Sequence, residues 1–143
     1  MQELEPIQPA GIPDFARVEA NIMTKEDQDY WIELIDKLGD VTEEDIDAIF
    51  LQKENADQEE LETWKTRWNN KEDPKEKNRA EEYLRFFAYF LKLSKQEKVD
   101  LYVFAKTFPF YPGVHNIRSK LNMYFPLFPN DREWLLEAKK QLN

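Results

Sequence analysis

Apolar positions recur along this chain at helical spacing, and most of the recurrences open on a capping residue. Trp31, Leu34, Ile35 and Leu38 fall at i, i+3, i+4 and i+7, the spacing of a single buried stripe. Thr24, three residues before Asp27, heads this stretch as a capping box, in which hydroxyl and carboxylate each satisfy an orphan N–H of the first turn. Gly39 stands where a left-handed C′ residue would end the helix. Thr42 and Asp45 repeat the device ahead of Ile46, Ile49 and Phe50. Asp57 caps a third stretch with Leu61, Trp64 and Trp68 on one face, stopped at Asn69-Asn70. All three segments set a narrow apolar stripe against a polar face, so they are expected on the surface of the fold.

The second half reads differently. Asp73-Pro74 places a cap directly before proline at the first helical position. The helix it opens, expected to reach about Leu93, is charged at first through Lys75, Glu76, Lys77, Arg79, Glu81 and Glu82. From Tyr83 onward apolar side chains surround its axis: Leu84, Phe86, Phe87, Ala88, Tyr89, Phe90 and Leu91. A helix that is apolar on all sides is a buried one, and this segment is the expected central element. Ser94 and Glu97 form another capping box, opening a helix over residues 94–107. A further helix over 113–124 carries Val114, Ile117, Leu121 and Tyr124 and is expected to stop before Pro126. The last helix follows Asn130-Asp131, with Trp134, Leu135, Ala138 and Leu142 expected inward.

The expected fold is therefore all-α: a compact single-domain bundle of about six helices around a buried central helix. It spans residues 15–143, with acidic helices over 24–70 and aromatic-rich core helices over 74–143. Residues 1–14, with Pro6, Pro9, Gly11 and Pro13, read as an extended arm whose Ile7 and Ile12, together with Phe15, could tack it to a groove.

Two segments share a pattern, Phe108-Pro-Phe-Tyr-Pro-Gly113 and Phe125-Pro-Leu-Phe-Pro-Asn130. Each falls where one predicted helix gives way to the next. Proline-rich ligands of aromatic grooves usually occupy stretches without such flanking helices, so both are expected to be breaks whose aromatic rings plug the core.

Charge sharpens the division into halves. Residues 1–60 carry 18 acidic and 4 basic side chains, a balance of −14; residues 61–143 carry 11 and 16, a balance of +5. Cysteine is absent, which removes disulfides and thiolate chemistry. The N-terminal residues lack the basic and apolar regions of a signal peptide, and the longest apolar run, Phe86–Leu91, is too short to span a bilayer. A soluble, intracellular, cytoplasmic protein without membrane contact is expected.

Candidate chemistry is sparse. The chain has a single histidine, His115, and its serines are Ser94, which fits a cap, and Ser119. No strained nucleophile turn accompanies a Ser119–His115 pair. One histidine excludes the paired Glu-x-x-His motifs of di-iron bundles, and the cluster Glu43, Glu44, Asp45 and Asp47 lacks the glycine and alternating oxygens of a calcium loop. Three dispersed glycines cannot build a phosphate loop. No catalytic residue, metal ligand or cofactor is expected.

The expected function is that of a non-enzymatic acidic helical interaction protein that binds a protein partner with a basic surface, in an inhibitor, immunity-type, regulatory or assembly-subunit role. Asp29, Glu33, Asp36, Glu43, Glu44 and Asp47 are the candidate charges; Tyr30, Ile7, Ile12 and Phe15 are the apolar anchors. The alternative is a nucleic-acid-binding regulator using helices 94–107 and 113–124 as a helix-turn-helix-like unit. Its candidate contacts are His115, Asn116, Arg118 and Lys120, with the basic stretch Lys65, Arg67, Lys71, Lys75, Lys77 and Arg79.

Overall fold

The side-chain caps expected at Thr24, Thr42, Asp57, Asp73 and Ser94 are all made, and with them the helix starts. The computed structural model describes residues 22–142; the 1–14 arm with Ile7 and Ile12, and Phe15 after it, lie outside them. Among the described residues the chain is all-helical: α1 (Lys25–Gly39), α2 (Glu43–Ile49), α3 (Gln58–Trp68), α4 (Pro74–Leu91), α5 (Lys95–Thr107), α6 (Val114–Leu127) and α7 (Glu133–Leu142). None of these helices is long and apolar enough to cross a membrane.

α4 is the axis of the bundle. It packs against α1, α2, α3 and α6, while α7 closes the far side by lying along α5. Leu84, Phe86, Phe87 and Phe90 of α4 are wholly buried, and so is Tyr124 of α6. Their rings form a continuous aromatic seam. Phe87 meets Trp64 edge-on at 5.3 Å, Phe90 meets Tyr124 at 4.8 Å, and Phe90 meets Trp134 at 5.4 Å. Such tilted pairs add about 0.5–1.5 kcal/mol each beyond the area they bury.

Polar ties join distant segments. Arg85 donates to the carbonyl of Val41 at 2.6 Å, just beyond the C-terminus of α1, and pairs with Glu81 at 2.8 Å. A cation there meets the negative end of the helix dipole. Lys98, almost fully buried, pairs with Asp131 at 2.7 Å, and the same carboxylate oxygen accepts from the Tyr124 hydroxyl.

Several boundaries differ from expectation. α6 does not stop before Pro126 but runs through it to Leu127. The N–H that proline lacks would have served the carbonyl of Asn122, which lies on the exposed side where water can replace it, while Tyr124 and Leu127 are buried inward. Phe128 then closes the turn by donating to the Tyr124 carbonyl at 2.9 Å. Gly39 is not a left-handed C′ residue: α1 is capped by Asp40 in a right-handed conformation, its N–H bonded back to Lys37 and Leu38. α4 ends at Leu91 rather than Leu93. Ile35 and Leu142 point outward, 46% and 40% exposed, because α1 buries the edge of its stripe at Leu34 and Leu38 and α7 buries Trp134 and Ala138.

The first proline-aromatic segment joins α5 to α6. Phe108 is buried, Tyr111 meets Trp31 edge-on at 6.3 Å, and Gly113 starts α6 with φ of 91°. The second segment overlaps the end of α6. Phe128 is buried, Phe125 stacks on Trp134 at 5.7 Å, and the Leu127 carbonyl accepts from the N–H of Asp57 at 2.8 Å.

Candidate functional site

The first turns of α1 and the outer face of α5 enclose a groove of about 440 Å³. Tyr30, Val103, Phe104 and Phe108 line it with apolar surface, and Glu26, Asp27 and Asp100 add carboxylates. Local structure sets each of these in place. Asp27 belongs to the capping box of α1, accepting from the Thr24 N–H at 3.2 Å. Asp100 accepts from Gln96 one turn earlier at 2.8 Å. The Tyr30 ring is half-buried against Phe104, centroid to centroid 4.8 Å.

The electrostatics of the groove are those of an anion-rich surface. Burial pushes the Tyr30 phenol well above its ordinary value, and the charges of Tyr89, Asp100, Glu97 and Glu33 push it further. The hydroxyl therefore stays protonated. Among the described residues, Glu26, Asp27 and Asp100 form no ion pair. A cationic side chain entering the groove would find apolar surface for its stem and carboxylates for its charge.

The other acidic candidates are divided among different tasks. Asp29 pairs with Lys25 at 3.6 Å and Glu33 with Lys37 at 2.7 Å, both along the exposed face of α1. Asp36, Glu43 and Glu44 are exposed, the last two in the first turn of α2. Asp47 accepts from the indole N–H of Trp68 at 3.0 Å, which makes it a tie between α2 and α3. Its neighbour Asp45 pairs with Lys92 at 2.8 Å.

The basic candidates fall in separate places. Arg67 and Arg79 line a cleft beside Trp64 and Tyr83. Lys77 lies over the Trp68 ring at 4.9 Å, and Lys75 is exposed in the first turn of α4. Lys65 and Lys71 border a shallow hollow with Asn69 and Asn70. On α6, His115 and Asn116 are exposed, Arg118 is half-buried, and Lys120 shares a hollow with Asn116, Glu82 and Arg85. Burial lowers the Lys120 ammonium below its ordinary value, outweighing Glu82. Ser119 donates its hydroxyl to the His115 carbonyl at 3.2 Å, a back-bond within the helix.

Sequence reasoning found Tyr30 but missed the rest of the groove. Phe104 and Phe108 read as core and Asp27 as a cap, which they also are; what no local signal carries is the approach of residues 26–30 to residues 100–108. Among the described residues, no group of three or more His, Asp or Glu side chains is placed to hold a metal ion. No protein-family model, curated protein or solved structure matches the chain.

Proposed function

We propose that this chain is a non-enzymatic interaction protein whose α1–α5 groove receives a basic, apolar-anchored segment of a partner protein. The observation that carries the reading is the combination of the carboxylates Glu26, Asp27 and Asp100, which form no ion pair among the described residues, with the apolar surface of Tyr30, Val103, Phe104 and Phe108. Desolvating that surface supplies affinity, and the charges supply selectivity and on-rate. Asp29, Glu33 and Asp36 continue the negative field along α1, and Glu43 and Glu44 carry it onto α2. Asp47, engaged by Trp68, belongs to the scaffold rather than to the binding surface.

The nucleic-acid reading draws less support. Its candidate cations are dispersed: Lys65 and Lys71 border one hollow, Lys120 lies in another, and Lys77 rests over the Trp68 ring.

The test is capture of a partner from native lysate by the wild-type chain and by an Asp100→Lys, Glu26→Lys variant, with salt elution and identification of the bound protein. A partner with a basic docking segment, released by salt and lost with the charge reversals, is the expected result. Capture that is indifferent to both the reversals and Tyr30→Ala would remove the groove from consideration.

A further inference from the structure

A second cleft, of about 270 Å³, opens between α3 and α4, with Met123 of α6 at its edge. Trp64, Arg67, Glu76, Arg79, Tyr83 and Met123 line it. Its aromatic wall is built: Trp64 and Tyr83 stack at 5.5 Å with their planes 29° apart. Arg67 lies over the Trp64 ring at 5.1 Å, which holds its guanidinium beside the aromatic surface. Its only ion pair among the described residues is a long one, 3.7 Å from Nε to Glu76, and Arg79 has none. Trp64 itself is buried, with an indole N–H that finds no acceptor.

We propose that this cleft binds an aryl phosphate: one aromatic ring joined to a phosphate group. Two guanidiniums at one opening match the planar, multidentate recognition of phosphate that arginine favours over lysine. Tyr83 and Met123 offer the flat and adaptable apolar contact that a ring requires. The volume falls just below the usual range of ligand clefts, which suits a ligand no larger than one ring with its phosphate. Glu76 opposes the anion, and its removal strengthens binding. The ring and phosphate have two possible sources, a phosphorylated tyrosine on a peptide or a free small molecule, and the chemistry of recognition is common to both.

Calorimetric titration of the full chain with phenyl phosphate tests the proposal. Saturable binding is expected, weakened about tenfold or more by Arg79→Gln, the worth of one charge-assisted bond to phosphate, and tightened by Glu76→Gln. Both side chains sit at the surface, and effects of opposite sign cannot come from a common loss of fold. Tighter binding of a short phosphotyrosyl peptide than of phenyl phosphate assigns the peptide source; equal binding assigns the free molecule. The proposal is overturned by an absence of saturable binding at millimolar concentration. It is equally overturned if inorganic phosphate binds as tightly as phenyl phosphate, or if Arg79→Gln binds like the wild type.

Discussion

The indole N–H of Trp68 donates to the carboxylate of Asp47 at 3.0 Å, across 21 residues of chain. Trp68 is 5% exposed, but Asp47 lies at the surface, where water can take over part of the acceptor's role. Asp47→Ala should cost about 1 kcal/mol, the net worth of a part-buried hydrogen bond. Asp47→Asn keeps an oxygen in reach and should cost much less. Urea unfolding of the two variants separates these outcomes.

Gly113 and Trp31 form a second long-range dependence. A Cβ on Gly113 would stand 2.9 Å from the Trp31 ring, and its φ of 91° disfavours any side chain. Gly113→Ala should destabilise by about 1–3 kcal/mol, and Gly113→Val by more. At roughly 2–4 °C per kcal/mol for a chain of this size, a melting curve resolves the change. Unchanged melting of Gly113→Ala would mean that the segment does not seat on α1 as described.

The Lys98–Asp131–Tyr124 cluster holds a nearly buried ammonium in place, with the Phe90 ring 5.6 Å from its nitrogen. Asp131→Ala removes the carboxylate that pairs with Lys98 and should cost about 3–5 kcal/mol. Adding Lys98→Met to that variant should recover part of the loss, because no charge is then left buried. Denaturation of the double variant against the single one measures the recovery.

Part of the acid sensitivity should arise at α2. The Lys92 ammonium, followed by the N–H and hydroxyl of Thr42, holds the Asp45 carboxyl down to about 2, below its ordinary 3.8. A carboxylate depressed in the folded state stabilises above its unfolded value and loses that contribution as pH falls through its folded value. The loss therefore falls between about pH 4 and pH 2. Asp45→Asn should flatten the stability–pH curve in that window, and identical curves for variant and wild type would contradict the assignment. At the alkaline end the sign reverses. Tyr30 and Tyr124 keep their protons in the folded chain, chiefly through burial, so stability should fall once pH passes the ordinary phenol value of 10.0.

Local chemistry made much of this fold legible before any coordinates. A cap needs only a hydroxyl or carboxylate three residues before the N–H it accepts from, so Thr24, Thr42, Asp57, Asp73 and Ser94 could be read directly. The all-round apolar run in α4 likewise announced its burial. Pro126 and Gly39 misled because rules for proline and glycine state local cost, and packing of Tyr124 and Leu127 outweighed it in one case. The site was legible only in part. Tyr30 could be singled out from its acidic surroundings, but Asp45 and Asp47 take their roles from Lys92 and Trp68, partners 47 and 21 residues away. Glu26, Asp27 and Asp100 likewise share a groove only once α1 and α5 are brought together.

The packing of α7 has a consequence for how the protein is made. Trp134 fills the space between Phe90, Tyr102 and Phe125, and Ala138 is fully enclosed. A nascent chain that has grown only as far as α6 therefore presents an unfinished aromatic surface. Until Ala138 has left the ribosomal tunnel, α4 and α5 have nothing to cover that side. At about 5–20 residues per second, the interval between finishing α6 and enclosing Trp134 lasts on the order of a second, longer by the passage through the tunnel. The core of this domain is thus completed only by α7, and a chain in which residues 22–127 have emerged without it leaves that aromatic surface open to other chains.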